Sequence, residues 1–109
     1  MKLTELISYL TDSEKLDNLY SEGKLSRDSE AILIYMQYSL NINSDIVFFN
    51  IEETDDELFF EKAGIKYIQL FPLDYAIELI DSDLDLLNKG ISNTEIAKKL
   101  LDYRVNDAS

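Results

Sequence analysis

Between Asp45 and Pro72 the apolar residues stop recurring every three or four positions and begin to run together or alternate. That change of period constrains the fold more than any other feature of the chain. The stretch "DIVFFNIEE" (45–53) is β-branched and aromatic and lies between turn-forming residues, and "IKYIQLF" (65–71) alternates imperfectly into Pro72. Both predict strands. On either side the helical period prevails. Leu3, Leu6, Ile7 and Leu10 form one apolar face and predict a first helix. Thr11 or Asp12 caps a second one through Leu16, Leu19 and Tyr20, which Gly23 stops. A third is predicted from Ser26, with Ile32, Tyr35, Met36 and Leu40 on one face. It breaks at "NINSD" (41–45), where Asn and Ser side chains compete for backbone hydrogen bonds.

Pro72 cannot continue a strand in a sheet interior but suits the first turn of a helix. From there Leu73, Ala76, Ile77, Ile80, Leu84 and Leu87 predict a helix to Gly90, kinked near Asp81. A last helix opens at Ser92, and Val105 to Ser109 is expected to fray. The segment "TDDELFFEKAG" (54–64) reads equally as a short capped helix ending at Gly64 or as a turn followed by a further strand. The expected fold is α+β and helix-rich: about five helices with a small two- or three-stranded antiparallel sheet in the middle. An all-α bundle is the alternative. A chain of 109 residues fits a single domain spanning 1–109.

His and Cys are both missing altogether, as is Trp. Without His the chain lacks the commonest general base, the usual partner of a nucleophilic Ser, and the commonest metal ligand. Without Cys it has neither disulfides nor thiolate metal sites. Carboxylate dyads remain possible in principle, but Glu52, Glu53, Asp55, Asp56 and Glu57 are contiguous, as a solvated surface run is. The expectation is therefore no enzyme, with no catalytic residues and no cofactor. Asp81, Asp83 and Asp85 occupy positions one, three and five of an EF-hand-like loop. Position six is Leu86 instead of Gly and position twelve is Ser92 instead of Glu, so no dedicated metal site is expected. Asp81-Ser82 also invites comparison with the Asp-Ser-Leu motif that carries the prosthetic group of acyl carrier proteins. Asp83 follows Ser82 here, and that cofactor is not expected either.

No apolar run approaches the roughly 20 residues of a membrane helix. The N-terminal "MKLTELISYLTDSEK" has acids within its apolar stretch and no small-residue cleavage site, so no signal peptide and a cytoplasmic location are expected.

Charge carries the most functional information. The net charge is −12, from 22 acids and 10 bases. Residues 45–86 hold twelve of the acids against only Lys62 and Lys66. A field of this sign repels phosphate backbones and attracts basic surfaces. The same segment holds Phe48, Phe49, Phe59, Phe60, Tyr67, Phe71 and Tyr75. Each Phe-Phe doublet, if in a strand, must send one ring to the core and leave the other exposed or under a helix. Exposed Tyr beside Asp and Glu suits an interface that grips Arg and Lys.

"GISNTEIAKKL" (90–100) resembles the first half of the helix-turn-helix of LuxR-type response regulators, matching at Gly90, Ser92, Asn93, Glu95, Ile96, Ala97 and Leu100. In that family a second, base-reading helix follows. "LDYRVNDAS" (101–109) does not resemble its opening, and Lys98 and Lys99 make no basic stripe. The match is equally that of a helix corner: Gly90 closes one helix, Ser92 and Glu95 form a capping box for the next, and Ile96, Leu100 and Tyr103 face the core. Direct nucleic-acid binding is not expected.

In size, acidity and lack of catalytic residue types, the chain resembles bacterial toxin-immunity proteins, including those of contact-dependent growth inhibition systems. The resemblance implies a monomer that neutralises a basic cognate toxin, of nuclease type, in a one-to-one complex without touching membrane. Asp55, Asp56, Glu57, Asp81, Asp83 and Asp85 would steer association, with Tyr67 and Tyr75 as aromatic anchors. A small acidic secretion chaperone, usually dimeric, is the alternative. A nucleic-acid mimic would need regularly spaced acids, which the chain lacks.

Overall fold

The computed structural model describes residues 1–21, 25, 31–80 and 91–106. The chain begins with α1 (Leu3–Leu10), whose Leu3, Leu6, Ile7 and Leu10 are all buried, as their spacing predicts. Asp12 then caps α2 (Ser13–Ser21), its Oδ1 accepting the Glu14 N–H at 3.0 Å. This satisfies one of the donors a helix start leaves open.

Among the described residues four strands stand where the sequence predicts two or three. They are β1 (Ile32–Gln37), β2 (Ile46–Asn50), β3 (Phe59–Lys62) and β4 (Ile65–Pro72), ordered β2-β1-β4-β3 with every neighbour antiparallel. The added central strand, β1, lies in the stretch expected to form a third helix. Ile32 through Met36 are buried without interruption. Ile32, Ile34 and Met36 point to the helices, while Leu33 and Tyr35 point to the opposite face. A strand covered on both sides shows a continuous apolar run, and period alone does not separate that from a buried helix.

The β1–β2 connection has the local bonding expected of its Asn and Ser residues. Asn41 Oδ1 accepts the Asn43 N–H at 2.8 Å, and Asn41's carbonyl accepts that of Ser44 at 3.0 Å. Lys2 straps the N-terminus to this end of the sheet through a 2.9 Å ion pair with Asp45. The hydrogen bond from Lys2, with its charge, lowers the Asp45 pKa below its ordinary value.

After β2 the chain makes one helical turn, α3 (Ile51–Thr54), before β3. Of the two readings of 54–64, the turn followed by a strand is the one formed. β3 and β4 are joined by a two-residue turn, Ala63-Gly64, with φ of 54° and 80°. Positive φ at both positions matches the twist of the flanking strands. Pro72 ends β4 and caps α4 (Leu73–Glu78), so the predicted switch from strand to helix falls at that residue. The continuation to Gly90 lies outside the described residues. The final helix is α5 (Asn93–Asn106).

The main core gathers α1, α4, α5 and one face of the sheet around Leu6, Ile7, Ile34, Met36, Leu79, Ala97 and Leu100. The other face carries a smaller cluster of Leu33, Tyr35, Phe49 and Tyr67, flanked by Phe60. Among the described residues no helix is long and apolar enough to cross a membrane.

Candidate functional site: an acidic turn beside a sheet edge

The acidic run predicted as a partner surface folds as a turn across the aromatic face of the sheet. The chain leaves α3 through Asp55 and Asp56, whose φ values are 54° and 59°. Two successive left-handed residues are uncommon outside glycine, and Asp is one of the side chains that tolerates them. The Asp55 N–H donates to the Ile51 carbonyl at 2.9 Å, and the Glu57 N–H to the Thr54 carbonyl at 3.1 Å.

Three side chains fix this turn from beneath. Tyr35, fully buried in β1, places its hydroxyl 2.5 Å from the Glu57 carbonyl oxygen and 3.0 Å from Thr54 Oγ1. The phenol has one hydrogen and the carbonyl can only accept, so the hydroxyl donates to Glu57 and Thr54 completes its bonding. Gln69 in β4, also buried, donates from Nε2 to Asp56 Oδ1 at 2.9 Å and from its backbone N–H to the Leu58 carbonyl at 2.9 Å. Its own carbonyl accepts from Arg104 Nε at 3.3 Å, tying the turn's support to α5. Burial raises the Tyr35 pKa above its ordinary value, with the negative charges of Asp56 and Glu57 acting in the same direction and the Thr54 hydrogen bond opposing them.

The floor of the turn is aromatic. Phe49 packs edge-on against Tyr35 at 5.5 Å, Phe60 at 5.2 Å and Tyr67 at 5.0 Å between ring centroids. Such pairs each contribute about 0.5–1.5 kcal/mol beyond the area they bury. Lys62 lies over the Phe49 ring, 5.9 Å from its centroid. Glu52, Glu53, Asp55, Asp56 and Glu57 are exposed above this floor. So are Leu58 at 52% and Phe59 at 71%, and Tyr38 beyond the end of β1 is 64% exposed. The turn is thus a hydrogen-bonded acidic ridge running directly into exposed apolar side chains.

The eight predicted partner residues separate into three groups. Asp55, Asp56 and Glu57 come together on the ridge. Tyr67 lies beneath, only 8% exposed and part of the aromatic floor. Tyr75 belongs to α4 on the helical side, half-buried, with its hydroxyl 3.0 Å from that of Tyr103 and its ring against Phe71. Asp81, Asp83 and Asp85 lie outside the described residues. Both Phe-Phe doublets divide as predicted: Phe49 and Phe60 join the aromatic floor, Phe48 packs toward the helices, and Phe59 is exposed.

The residues missed are the supports, Tyr35, Thr54 and Gln69, together with the apolar edge formed by Leu58, Phe59 and Tyr38. The sequence signal for the edge was the second Phe doublet itself. Among the described residues no three carboxylates converge closely enough to hold a metal ion.

The segment resembling a helix-turn-helix is a helix start built as its cap predicts. Ser92 Oγ accepts the Glu95 N–H at 3.2 Å, and Ile96, Ala97 and Leu100 are buried. The helix then runs without interruption to Asn106. Residues 101–106, where a reading module would turn and open its second helix, belong to the same helix. Comparison with protein-family models, with curated proteins and with solved structures found no match for this chain.

Proposed function

We propose that the protein works by binding, and that its partner is a basic protein captured on the acidic ridge and the apolar edge beside it. The observation that carries this reading is the fixing of the ridge: five exposed carboxylates at 52–57 stand on a turn held by Tyr35, Thr54 and Gln69. Charges held in place raise the rate of encounter with an oppositely charged surface. Exposed Phe and Leu next to them supply the apolar contact that slows dissociation. An acidic surface backed by a rigid sheet suits an inhibitor of the immunity type, acting in the cytoplasm as a monomer. It would occupy the basic groove that a nuclease toxin uses for its own substrate.

Co-expression with a toxin domain encoded beside the gene, followed by co-purification and association kinetics at rising salt, tests the proposal. The expected result is protection of the cells and a one-to-one complex whose on-rate falls steeply with salt. A stable dimer that holds unfolded clients and captures no basic domain would sink it and favour a secretion chaperone.

A further inference from the structure

Among the described residues β3 is an edge strand, bordered on one side by β4 and on the other by no strand. The register sets which of its backbone groups are free. The Leu58 carbonyl accepts from Gln69, and Phe60 lies opposite Tyr67. Hydrogen-bonded and non-hydrogen-bonded pairs alternate in an antiparallel ladder. Phe59 and Glu61 therefore turn their N–H and C=O groups outward, away from β4. Pleating places Phe59, Glu61, Ile68 and Lys66 on the same face, because Phe59 pairs with Ile68 and Glu61 with Lys66; Tyr38 follows the end of β1, and its N–H donates to the Lys66 carbonyl. These five side chains, with Phe60 and Tyr67, line a groove of about 540 Å³ along this edge.

Edges of this kind are ordinarily blunted by charge, a bulge or a covering loop. Here the Lys62 ammonium at the hairpin end lies over the Phe49 ring, and Phe59 is the most exposed large hydrophobic side chain described. The approach at the other end runs past Asp55, Asp56 and Glu57. Charge decides between possible occupants. Pairing β3 with β3 of a second copy would bring together two chains that each carry a net charge of −12, and that overall repulsion opposes it. An extended segment that is basic where it passes the ridge and apolar where it meets Phe59 meets no such penalty.

Building on the basic-partner reading above, we propose that the partner docks by strand addition. An extended basic segment pairs with the outward backbone groups of Phe59 and Glu61 as a fifth strand and sets an apolar side chain in the Phe59–Ile68–Tyr38 groove. In this mode main-chain bonds supply affinity, and pockets for alternate side chains supply specificity.

The test uses the full chain and a synthetic lysine–valine alternating peptide of about ten residues, long enough to form one strand. Amide exchange and backbone chemical shifts are followed by NMR. At saturating peptide, exchange at Phe59 and Glu61 should slow by about tenfold or more. The effect should vanish when alternate peptide amides are N-methylated. Glu61→Pro removes an outward N–H while sparing the β4 ladder, and should weaken peptide binding well below that of Glu61→Gln, which controls for the lost charge. If Glu61→Pro fails to fold, the N-methylated peptide decides alone. Shifts confined to Asp55–Glu57 without protection at the edge would overturn strand addition and leave the basic-partner reading standing. Absence of any response to the lysine peptide would overturn both. Protection of Phe59 and Glu61 that grows with protein concentration and needs no peptide would mean that a second copy occupies the edge, which also overturns the proposal.

Discussion

Tyr35 concentrates several roles in one side chain. Its ring belongs to the aromatic floor, and its hydroxyl fixes the acidic turn at Thr54 and Glu57. Tyr35→Phe keeps the ring but leaves a buried threonine hydroxyl and a carbonyl short of a partner, so a loss of about 1–3 kcal/mol is expected from urea denaturation. The same variant tests a pH dependence. The phenol's pKa is higher in the folded protein than its ordinary 10.0, so the folded state holds that proton more tightly than the unfolded chain does. The stability this provides is complete below pH 10 and is lost as pH rises through the folded value. Wild-type protein should therefore lose stability in that alkaline range more steeply than Tyr35→Phe; parallel curves would show that the hydroxyl is not held as described. Ala63 makes the opposite case. It sits at φ 54° in the β3–β4 turn, a conformation that disfavours a side chain with Cβ by about 1–2 kcal/mol. Asn relieves part of that, and Asn-Gly is the preferred pair for this turn. Ala63→Asn should raise the denaturation midpoint without moving the backbone, as amide shifts outside 61–66 would verify.

At the scale of elements, α5 rests on its cap as well as on its buried face. Ser92→Ala removes the acceptor of the Glu95 N–H and should lower stability by about 1 kcal/mol, measurable by thermal or urea unfolding. An unchanged midpoint would mean that packing of Ile96, Ala97 and Leu100 alone sets this helix. The cap was legible in the sequence because all its parts lie within four residues. So were α1, a cap for α2 at Thr11 or Asp12, strands β2 and β4, and the change of structure at Pro72. β1 was not, for a physical reason: in Ile32–Met36 both faces are buried, and the alternation that identifies a half-exposed strand disappears. The candidate site divides along the same line. Asp55, Asp56 and Glu57 announce themselves by local charge. Their supports do not, because the Tyr35–Thr54, Tyr35–Glu57 and Gln69–Asp56 bonds join residues 19, 22 and 13 positions apart. Only tertiary pairing creates those contacts, and propensity carries no record of them. Residue type alone marks Tyr67 and Tyr75 as anchors, and the folded chain buries one and packs the other among Phe71 and Tyr103.

At the scale of the whole molecule, the charge distribution sets function and stability against each other. A net charge of −12 repels itself in the compact state, and the ridge adds acids where neighbouring acids already stand. If those carboxylates serve only solubility, neutralising three of them should matter little in any assay. If they steer a basic partner, the same change should improve the fold and impair binding. The triple variant Asp55→Asn, Asp56→Asn, Glu57→Gln separates the two. Asparagine tolerates the left-handed conformation at both aspartate positions as aspartate does. The side-chain amide oxygen that Asp56→Asn introduces can still accept from Gln69. Glu57 contributes to the scaffold through its backbone carbonyl, which the substitution leaves in place. The turn should therefore keep its shape while losing three negative charges. The expected outcome is a melting temperature above wild type at low salt, with the gain shrinking as salt screens the repulsion. Alongside it, the on-rate for a basic partner domain should fall by about tenfold or more, with a smaller change in off-rate. A variant that melts lower, or one that associates as fast as wild type at low salt, would show that the ridge is not held against its own repulsion for the sake of capture.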